Sequence, residues 1–202
     1  FVNSSVFVEN VSRIEFLFKI KTIMNNISQD SQDSIRILII GSGGREHAIG
    51  WKFAEDFKQK GQDANLIFIP GNAGTAQIGT NVSISSIEEM KDFAKENQID
   101  LTFVGPEAEL SEGIVDIFQK ENLNVFGPHK AAAQLEASKA FAKDFMDKYG
   151  VKTAKYKNFQ GPMLAIDYLK TQEYPIVVKA SGLAAGKGVI ICQDFEEAKQ
   201  AV

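Results

Sequence analysis

The chain has 202 residues, of which 44% are hydrophobic, enough apolar material for one large or two modest domains with buried cores. Its formal net charge of −4, with no basic run, excludes a general nucleic-acid binder. No apolar run approaches the roughly 18 residues of a membrane span. The single cysteine, Cys192, excludes a disulfide framework and favours a reducing, cytoplasmic setting.

Residues 1–34 have the composition of a disordered or non-native leader, because they lack a clean hydrophobic period and end in a polar stretch. The chain does not begin with Met, and Met24 stands just before that stretch, so one interpretation is a native start at Met24, with residues 1–23 as translated upstream sequence. A transit peptide over residues 7–21 is the alternative. Two acidic residues, Glu9 and Glu15, count against it because such peptides avoid acids.

Beyond the leader, short β-branched runs alternate with helical stretches, which predicts right-handed βαβ units and a parallel sheet. The predicted strands are 35–40, 65–69, 100–104 and 124–126, and the predicted helices are 45–60, about 87–96 and 110–120. These elements define an N-terminal α/β domain of Rossmann-like character over residues 35–127. We expect this domain to bind substrate.

A helical connection is predicted over residues 128–150, with Ser138 as an internal cap and Gly150 just after the helix end. From about residue 151 the pattern becomes strand, helix, strand, turn, strand and helix, which predicts an α+β unit over 151–202. Its last helix opens with a capping-box sequence at Asp194 and still runs at the chain end, so we expect this unit to be truncated.

A glycine-rich turn follows the first strand and opens the first helix. It carries Gly41, Gly43, Gly44 and Arg45. Such a turn aims backbone N–H groups and a helix N-terminus at an anion, and Gly44 with Arg45 favours a phosphate-bearing ligand. A Rossmann dinucleotide site is an alternative, but the third glycine of that fingerprint is replaced by Glu46. A purely structural tight turn is the other alternative.

Two further loops follow strands of the same predicted sheet. Asn72 and Gly74 come after the second strand, and Gly105, Pro106 and Glu107 come after the third. Because ligands of open α/β sheets bind at the carboxyl ends of strands, the three loops predict one site. Each loop alone is also explained by ordinary turn chemistry.

A second glycine-rich turn lies between two β-runs near the end of the chain. Glycines let the backbone approach a phosphate closely, and lysines add positive charge. The residues are Lys179, Gly182, Gly186, Lys187 and Gly188. A Walker A loop is excluded, because a glycine and a β-run follow Lys187 instead of Ser or Thr and a helix. A hairpin that folds over ATP fits this pattern, and an ordinary hairpin is the alternative.

Six segments occur together in one order. They are IIGSGGREHA at 39–48, PGNAGTA at 70–76, VGPEA at 104–108, FGP at 126–128, SKAFAK at 138–143 and KASGLAAGKG at 179–188. From about residue 35 to 202 the chain therefore resembles the phosphoribosylamine–glycine ligases (glycinamide ribonucleotide synthetases) of the ATP-grasp superfamily. One departure is Ser181, where that family usually has Asp.

The resemblance implies a carbon–nitrogen ligase of de novo purine synthesis. ATP phosphorylates glycine, and the amine of 5-phosphoribosylamine attacks the glycyl phosphate to give glycinamide ribonucleotide, ADP and phosphate. It further implies that Lys139 and Lys179, with the hairpin glycines and Lys187, contact ATP. The three sheet-edge loops would then hold phosphoribosylamine.

The resemblance also implies a Mg²⁺ or Mn²⁺ ion, whose ligands, with most glycine-binding groups, we expect beyond Val202. No catalytic residue is identifiable in the chain itself, so we expect the fragment to be inactive alone. His47 and His129 are interpreted as structural. Three alternatives stay open: another ATP-grasp carboxylase or synthetase, an NAD(P)-dependent oxidoreductase, and a noncatalytic binding module. Fusion to later purine-pathway domains also stays open.

Overall fold

Residues 34–182 and 188–202 are described by a computed structural model of the chain. The strands are β1 (Ile35–Gly41), β2 (Ala64–Pro70), β3 (Thr80–Asn81), β4 (Leu101–Val104), β5 (Val125–Phe126), β6 (Ile176–Lys179) and β7 (Val189–Cys192). The helices are α1 (Gly44–Gln59), α2 (Ile87–Glu96), α3 (Glu107–Glu112), α4 (Ile114–Lys120), α5 (Lys130–Ala137), α6 (Lys139–Lys148), α7 (Pro162–Leu169) and α8 (Phe195–Ala201). The predicted leader, up to residue 33, lies outside the described residues.

The first five strands form one parallel sheet in the order β3-β2-β1-β4-β5, which confirms the predicted α/β architecture. The chain builds outward from β1 in one direction and then returns to add β4 and β5 on the other side. The strand order therefore reverses beside β1. In open α/β sheets this reversal leaves a crevice at the carboxyl ends of the strands, where ligands bind.

The core lies on both faces of this sheet, because side chains of successive strand residues point to opposite faces. On β1, Leu38 and Ile40 belong to one buried cluster, with α2 and α4, while Ile37 and Ile39 belong to another that includes Phe57 of α1. All four β1 side chains are essentially inaccessible to solvent. Continuous burial explains why β1 is an uninterrupted apolar run.

Two predicted helices are each divided by one residue. The predicted helix 110–120 is wrong as a single element: α3 ends and α4 begins at Gly113, whose φ of 97° is left-handed and stops a helix. The predicted helical connection is divided at Ser138, whose extended backbone ends α5 and whose hydroxyl accepts the Phe141 N–H at 3.2 Å. Ser138 is therefore the cap that was predicted.

The second unit contains the antiparallel pair β6-β7 with α7 and α8 against it. Cys192 is fully buried there with Leu169 and Ala198, which confirms its predicted place in the core. The predicted strand just after residue 151 is wrong. A strand needs a neighbour for its ladder, and this segment instead makes contacts to α6 through Thr153 and Tyr156.

Within the described ranges, no helix is long and apolar enough to cross a membrane.

Candidate functional site

The three predicted loops meet at the carboxyl edge of the parallel sheet. The Gly71 N–H donates to the Gly41 carbonyl at 3.2 Å, which joins the ends of β1 and β2. The Gly105 N–H donates to the Ile40 carbonyl at 3.0 Å, which joins β1 to the end of β4. The three loops that the sequence analysis grouped are therefore neighbours, and they lie at the reversal of strand order.

Asn72 fastens the second loop to the first. Its Nδ2 donates to the Ser42 carbonyl at 2.8 Å, and its Oδ1 accepts the N–H groups of Gly74 at 2.7 Å and Thr75 at 3.0 Å. An amide side chain supplies both donors and an acceptor, which this position requires. The side chain predicted to touch substrate is thus engaged in holding the two loops together.

Two residues that the sequence analysis missed support Asn72. Thr75 is fully buried, and its hydroxyl accepts the Asn72 N–H at 2.7 Å. Asn81 of β3 donates from its Nδ2 to the Asn72 carbonyl at 2.7 Å, and its Oδ1 lies 2.8 Å from the Thr75 hydroxyl. The network rigidifies the second loop by satisfying polar groups that the turn would otherwise leave unpaired.

Glu46 lies at the centre of the first glycine loop and is only 3% exposed. Its Oε2 accepts the Gly43 N–H at 2.8 Å, and its Oε1 accepts the Nε–H of Arg45 at 2.9 Å. The first contact is the returning half of a capping box, in which the third helical residue binds the N-cap N–H. The sequence marked Glu46 only as a departure from the dinucleotide fingerprint.

Arg45 projects at the mouth of the sheet edge with 61% of its side chain exposed. Its Nη2 donates to the Gly105 carbonyl at 2.7 Å and lies 3.6 Å from a carboxylate oxygen of Glu107. The hydrogen bond to Glu46, opposed by partial burial and aided by both carboxylates, raises the pKa of Arg45. Arg45 is therefore permanently charged and held in one direction.

The predicted loop residues differ in what they leave open to solvent. Gly43, Gly44 and Arg45 are exposed, and the N–H groups of the first turn of α1 have no acceptor within the helix. Glu107 is exposed beside them, whereas Gly41 is buried. The edge thus presents helix N–H groups, one guanidinium and one accessible carboxylate, a set suited to a small ligand that carries both an anion and polar donors.

The second group of predicted residues lies where the β6-β7 hairpin meets the start of α6. Ser181 is the contact: its carbonyl accepts the Lys139 N–H at 2.9 Å and its hydroxyl accepts the Ala140 N–H at 3.2 Å. The Nζ of Lys139 donates to the Gly182 carbonyl at 3.1 Å. Lys139 and Gly182, predicted as members of one nucleotide site, are therefore neighbours.

Lys179 ends β6 opposite Val189, and the Ala180 N–H donates to the Gly188 carbonyl at 2.8 Å, so this end of the hairpin is closed. Lys179 is exposed. Gly186 and Lys187 lie outside the described residues. The antiparallel pairing agrees with the predicted β-turn-β arrangement, which a Walker A strand and helix would not produce.

The two histidines stand beside structural groups. The imidazole of His47 borders Gly74, where an added Cβ would approach its ring to 2.7 Å. The Nδ1 of His129 lies 3.2 Å from Asp116, whose other oxygen accepts the Lys130 N–H at 2.7 Å. Asp116 thus caps α5 from a neighbouring helix, a structural role for this pair.

Two family models match the chain in succession. The model of the phosphoribosylglycinamide synthetase N domain matches residues 35–136, and the model of the ATP-grasp (A) domain of the same synthetase matches residues 137–202. The chain belongs to the phosphoribosylglycinamide synthetase family. Both domain types occur in family order, so membership rests on the parallel-sheet unit and on the hairpin unit together. It also displaces the NAD(P)-dependent oxidoreductase alternative.

Curated relatives of the family agree. The chain is 51% identical over 170 residues to a phosphoribosylamine–glycine ligase of Clostridium acetobutylicum, which covers 83% of the chain and 40% of that relative. It is 51% identical over 168 residues to the ligase of Fusobacterium nucleatum, covering 82% of the chain and 38% of the relative. The chain thus spans about two fifths of the length of these relatives.

Solved structures show the same fold. The phosphoribosylamine–glycine ligase of Thermotoga maritima is 40% identical, with a TM-score of 0.65, and the match covers 82% of this chain and 38% of that one. The biotin carboxylase domain of a 2-oxoglutarate carboxylase from Hydrogenobacter thermophilus matches with a TM-score of 0.64 at 21% identity, covering 84% and 40% of the two chains. The second likeness shows the fold alone.

Proposed function

We propose that this chain is part of a phosphoribosylamine–glycine ligase, which joins glycine to 5-phosphoribosylamine through a glycyl phosphate and releases ADP and phosphate. The ordered pair of family matches over residues 35–202 carries the proposal. The convergence of three loops at one sheet edge, and of the hairpin with α6, supports it. A related ATP-grasp carboxylase is the second candidate, favoured only by the shared fold.

The sheet edge is the proposed phosphoribosylamine site. The N–H groups of Gly44 and Arg45, in the first turn of a 16-residue helix, are the proposed donors to the sugar phosphate. Arg45 borders this position as a charge that is already oriented. The exposed carboxylate of Glu107 is suited to the amine or a ribose hydroxyl. The Gly105 carbonyl accepts from Arg45, and Pro106 follows it as the residue just before α3.

The hairpin and the start of α6 are the proposed ATP site. Phosphoryl transfer needs positioning and charge neutralisation more than a covalent protein group. Lys139 and Lys179 supply positive charge, and the glycines 182, 186 and 188 allow close backbone approach, with Lys187 as a further cation. The glycyl phosphate that forms from ATP and glycine must then meet the amine of phosphoribosylamine.

A divalent cation, Mg²⁺ or Mn²⁺, would accompany ATP and neutralise its phosphate charge. Within the ranges 34–182 and 188–202, no three His, Cys, Asp or Glu side chains cluster so as to hold a metal ion. An ion bound to ATP needs only one or two carboxylates from the protein, since phosphate oxygens and water complete its coordination.

A chimera tests the proposal. Residues 35–202 replace the matching segment of the Clostridium acetobutylicum ligase, and formation of glycinamide ribonucleotide is measured with ATP, glycine and freshly generated phosphoribosylamine. We expect a product that depends on all three substrates. A chimera with the thermal transition of the parent but with ADP release that needs bicarbonate instead of glycine would favour the carboxylase. A folded chimera inactive with either substrate would refute both.

A further inference from the structure

The glycines of the sheet edge surround one carboxylate. A Cβ on Gly41 would lie 2.5 Å from Cγ of Glu46, one on Gly43 would lie 2.8 Å from its Oε2, and one on Gly105 would lie 2.2 Å from its Oε1. Real Cβ atoms essentially never approach so closely, so no side chain fits at these positions while Glu46 keeps its place. Glycine is therefore required at these three positions, in two loops, for one reason, which is the proximity of the Glu46 side chain.

Glu46 is thus an anion that the protein itself supplies to the loop. The Gly43 N–H, which points to an anion in glycine loops that bind phosphate, is already occupied by Glu46 Oε2. The other carboxylate oxygen holds the Nε–H of Arg45. This contact turns the guanidinium so that its Nη2 reaches the Gly105 carbonyl across the mouth of the edge.

A helix cap alone does not explain these contacts. A Glu or Gln at the third helical position caps equally well, because either side chain offers an oxygen to the N-cap N–H. Only a carboxylate also accepts from the guanidinium, since the second terminal atom of Gln is an NH₂ donor that would face the Nε–H of Arg45. The exchange of Glu46 for Gln therefore separates capping from positioning.

We propose that Glu46 is a positioning residue for the sugar-phosphate substrate. It sets the separation of the first and third loops and holds the guanidinium of Arg45 in the direction that the ligand requires, so the donor is ordered before binding. Ordering before binding raises affinity, because the cost of immobilising a long side chain does not recur when the ligand arrives. This inference rests on the proposed function, since it assigns the residue to the phosphoribosylamine site.

The test is a titration of the chain with ribose 5-phosphate, followed by calorimetry and by the NMR signals of the Gly44 N–H and the Arg45 Nε–H. In Glu46→Gln we expect the affinity to fall about tenfold, the effect of losing one charge-assisted hydrogen bond, while the chain still unfolds in a cooperative thermal transition because the Gly43 cap persists. The Arg45 Nε–H signal should broaden or disappear. The matched control is Glu112→Gln, the same loss of charge at an exposed residue of α3.

A double-mutant comparison tests whether Glu46 affects ribose 5-phosphate binding through Arg45. If Glu46 acts through the guanidinium, Glu46→Gln will weaken binding in the wild-type background but not in Arg45→Ala, because neighbouring residues in one network are not additive. Equal losses in both backgrounds would overturn the inference. Unchanged affinity and an unchanged Arg45 signal in Glu46→Gln would overturn it as well, while the proposed function would stand.

Failure of the proposed function would give a different result in the same titration. If the wild-type chain binds no ribose 5-phosphate, the proposed function of this edge fails, and the substrate role of Glu46 fails with it. Loss of the Arg45 Nε–H signal in Glu46→Gln would then show that Glu46 orders Arg45 for another purpose. Binding to wild type with the tenfold loss and the non-additive pattern supports both proposals.

Discussion

Two fully buried threonines of the N-terminal unit differ in their hydrogen bonds. The hydroxyl of Thr75 accepts the Asn72 N–H and lies within hydrogen-bond distance of the Asn72 carbonyl and of Asn81 Oδ1. The hydroxyl of Thr102, on β4, has no partner among the described residues. The two side chains are equally buried from solvent, with exposed fractions of 0% for Thr75 and 1% for Thr102. The same substitution at each site therefore isolates the value of the hydrogen bonds.

Valine has nearly the shape of threonine without the hydroxyl. In Thr75→Val the Asn72 N–H and Asn81 Oδ1 lose a partner, and each unsatisfied buried group costs about 1–3 kcal/mol. Because Asn72 is half-buried and Asn81 is exposed, water replaces part of this, and we expect a loss of about 1–2 kcal/mol. In Thr102→Val an unpaired hydroxyl leaves the core, so we expect no loss and a gain of up to about 1 kcal/mol.

The assay is urea unfolding of the chain, followed by circular dichroism and compared at equal denaturant slope. Hydrogen exchange at the Asn72 N–H gives a local check, since its protection should fall in Thr75→Val and persist in Thr102→Val. The reasoning is refuted if Thr75→Val is as stable as wild type. It is equally refuted if Thr102→Val loses more than about 1 kcal/mol, because its hydroxyl would then have a partner.

Three further predictions concern a close contact, a helix cap and a tyrosine. An added Cβ at Gly50 would lie 2.4 Å from the Phe68 ring, so Gly50→Ala should destabilise by about 1–3 kcal/mol in urea unfolding, whereas Gly44→Ala, with open space around it, should not. Burial raises the pKa of Asp116, but hydrogen bonds from Lys130 and His129 outweigh it and lower that pKa below the usual 3.8. Asp116 therefore stabilises the fold above about pH 4, and this effect is lost as the pH falls through its lowered pKa. In urea unfolding, Asp116→Asn should be less stable than wild type by up to about 1 kcal/mol at pH 7 and equally stable near pH 2. Burial and the hydrogen bond to Asp144 raise the pKa of Tyr156 to about 12, and ultraviolet titration of wild type against Tyr156→Phe should locate this step, with Asp144→Asn moving it lower.

The parallel sheet was predictable because its signals are local. The β-branched run of β1 and the turn residues after β2 and β4 can each be recognised within a window of a few residues. The division at Gly113 was not predicted, since a glycine inside a helical pattern is compatible with continuation or with a left-handed stop. The prediction of a strand just after residue 151 was wrong for a related reason. Strand formation depends on a neighbouring strand that the local sequence does not specify.

The site illustrates the same limit. Sequence spacing located the loops, but it assigned Asn72 and Arg45 to a ligand without showing that each already serves a neighbouring loop. The partners lie 29 to 60 positions away along the chain, beyond any local pattern. One signal was visible: an acidic residue, Glu46, at the position where a dinucleotide loop requires glycine. A carboxylate inside a glycine loop predicts an internal anion.

Ser181, where the resemblance to the family leads us to expect Asp, lies against the start of α6. Its hydroxyl and carbonyl satisfy two N–H groups at the start of α6, a task that an aspartate would also perform and with a better match to the helix dipole. Serine performs it without adding negative charge beside Lys139, whose Nζ contacts only a backbone carbonyl among the described residues. In this chain the start of α6 gives up some capping strength and retains a more positive hairpin entrance, which suits the polyphosphate proposed for this site.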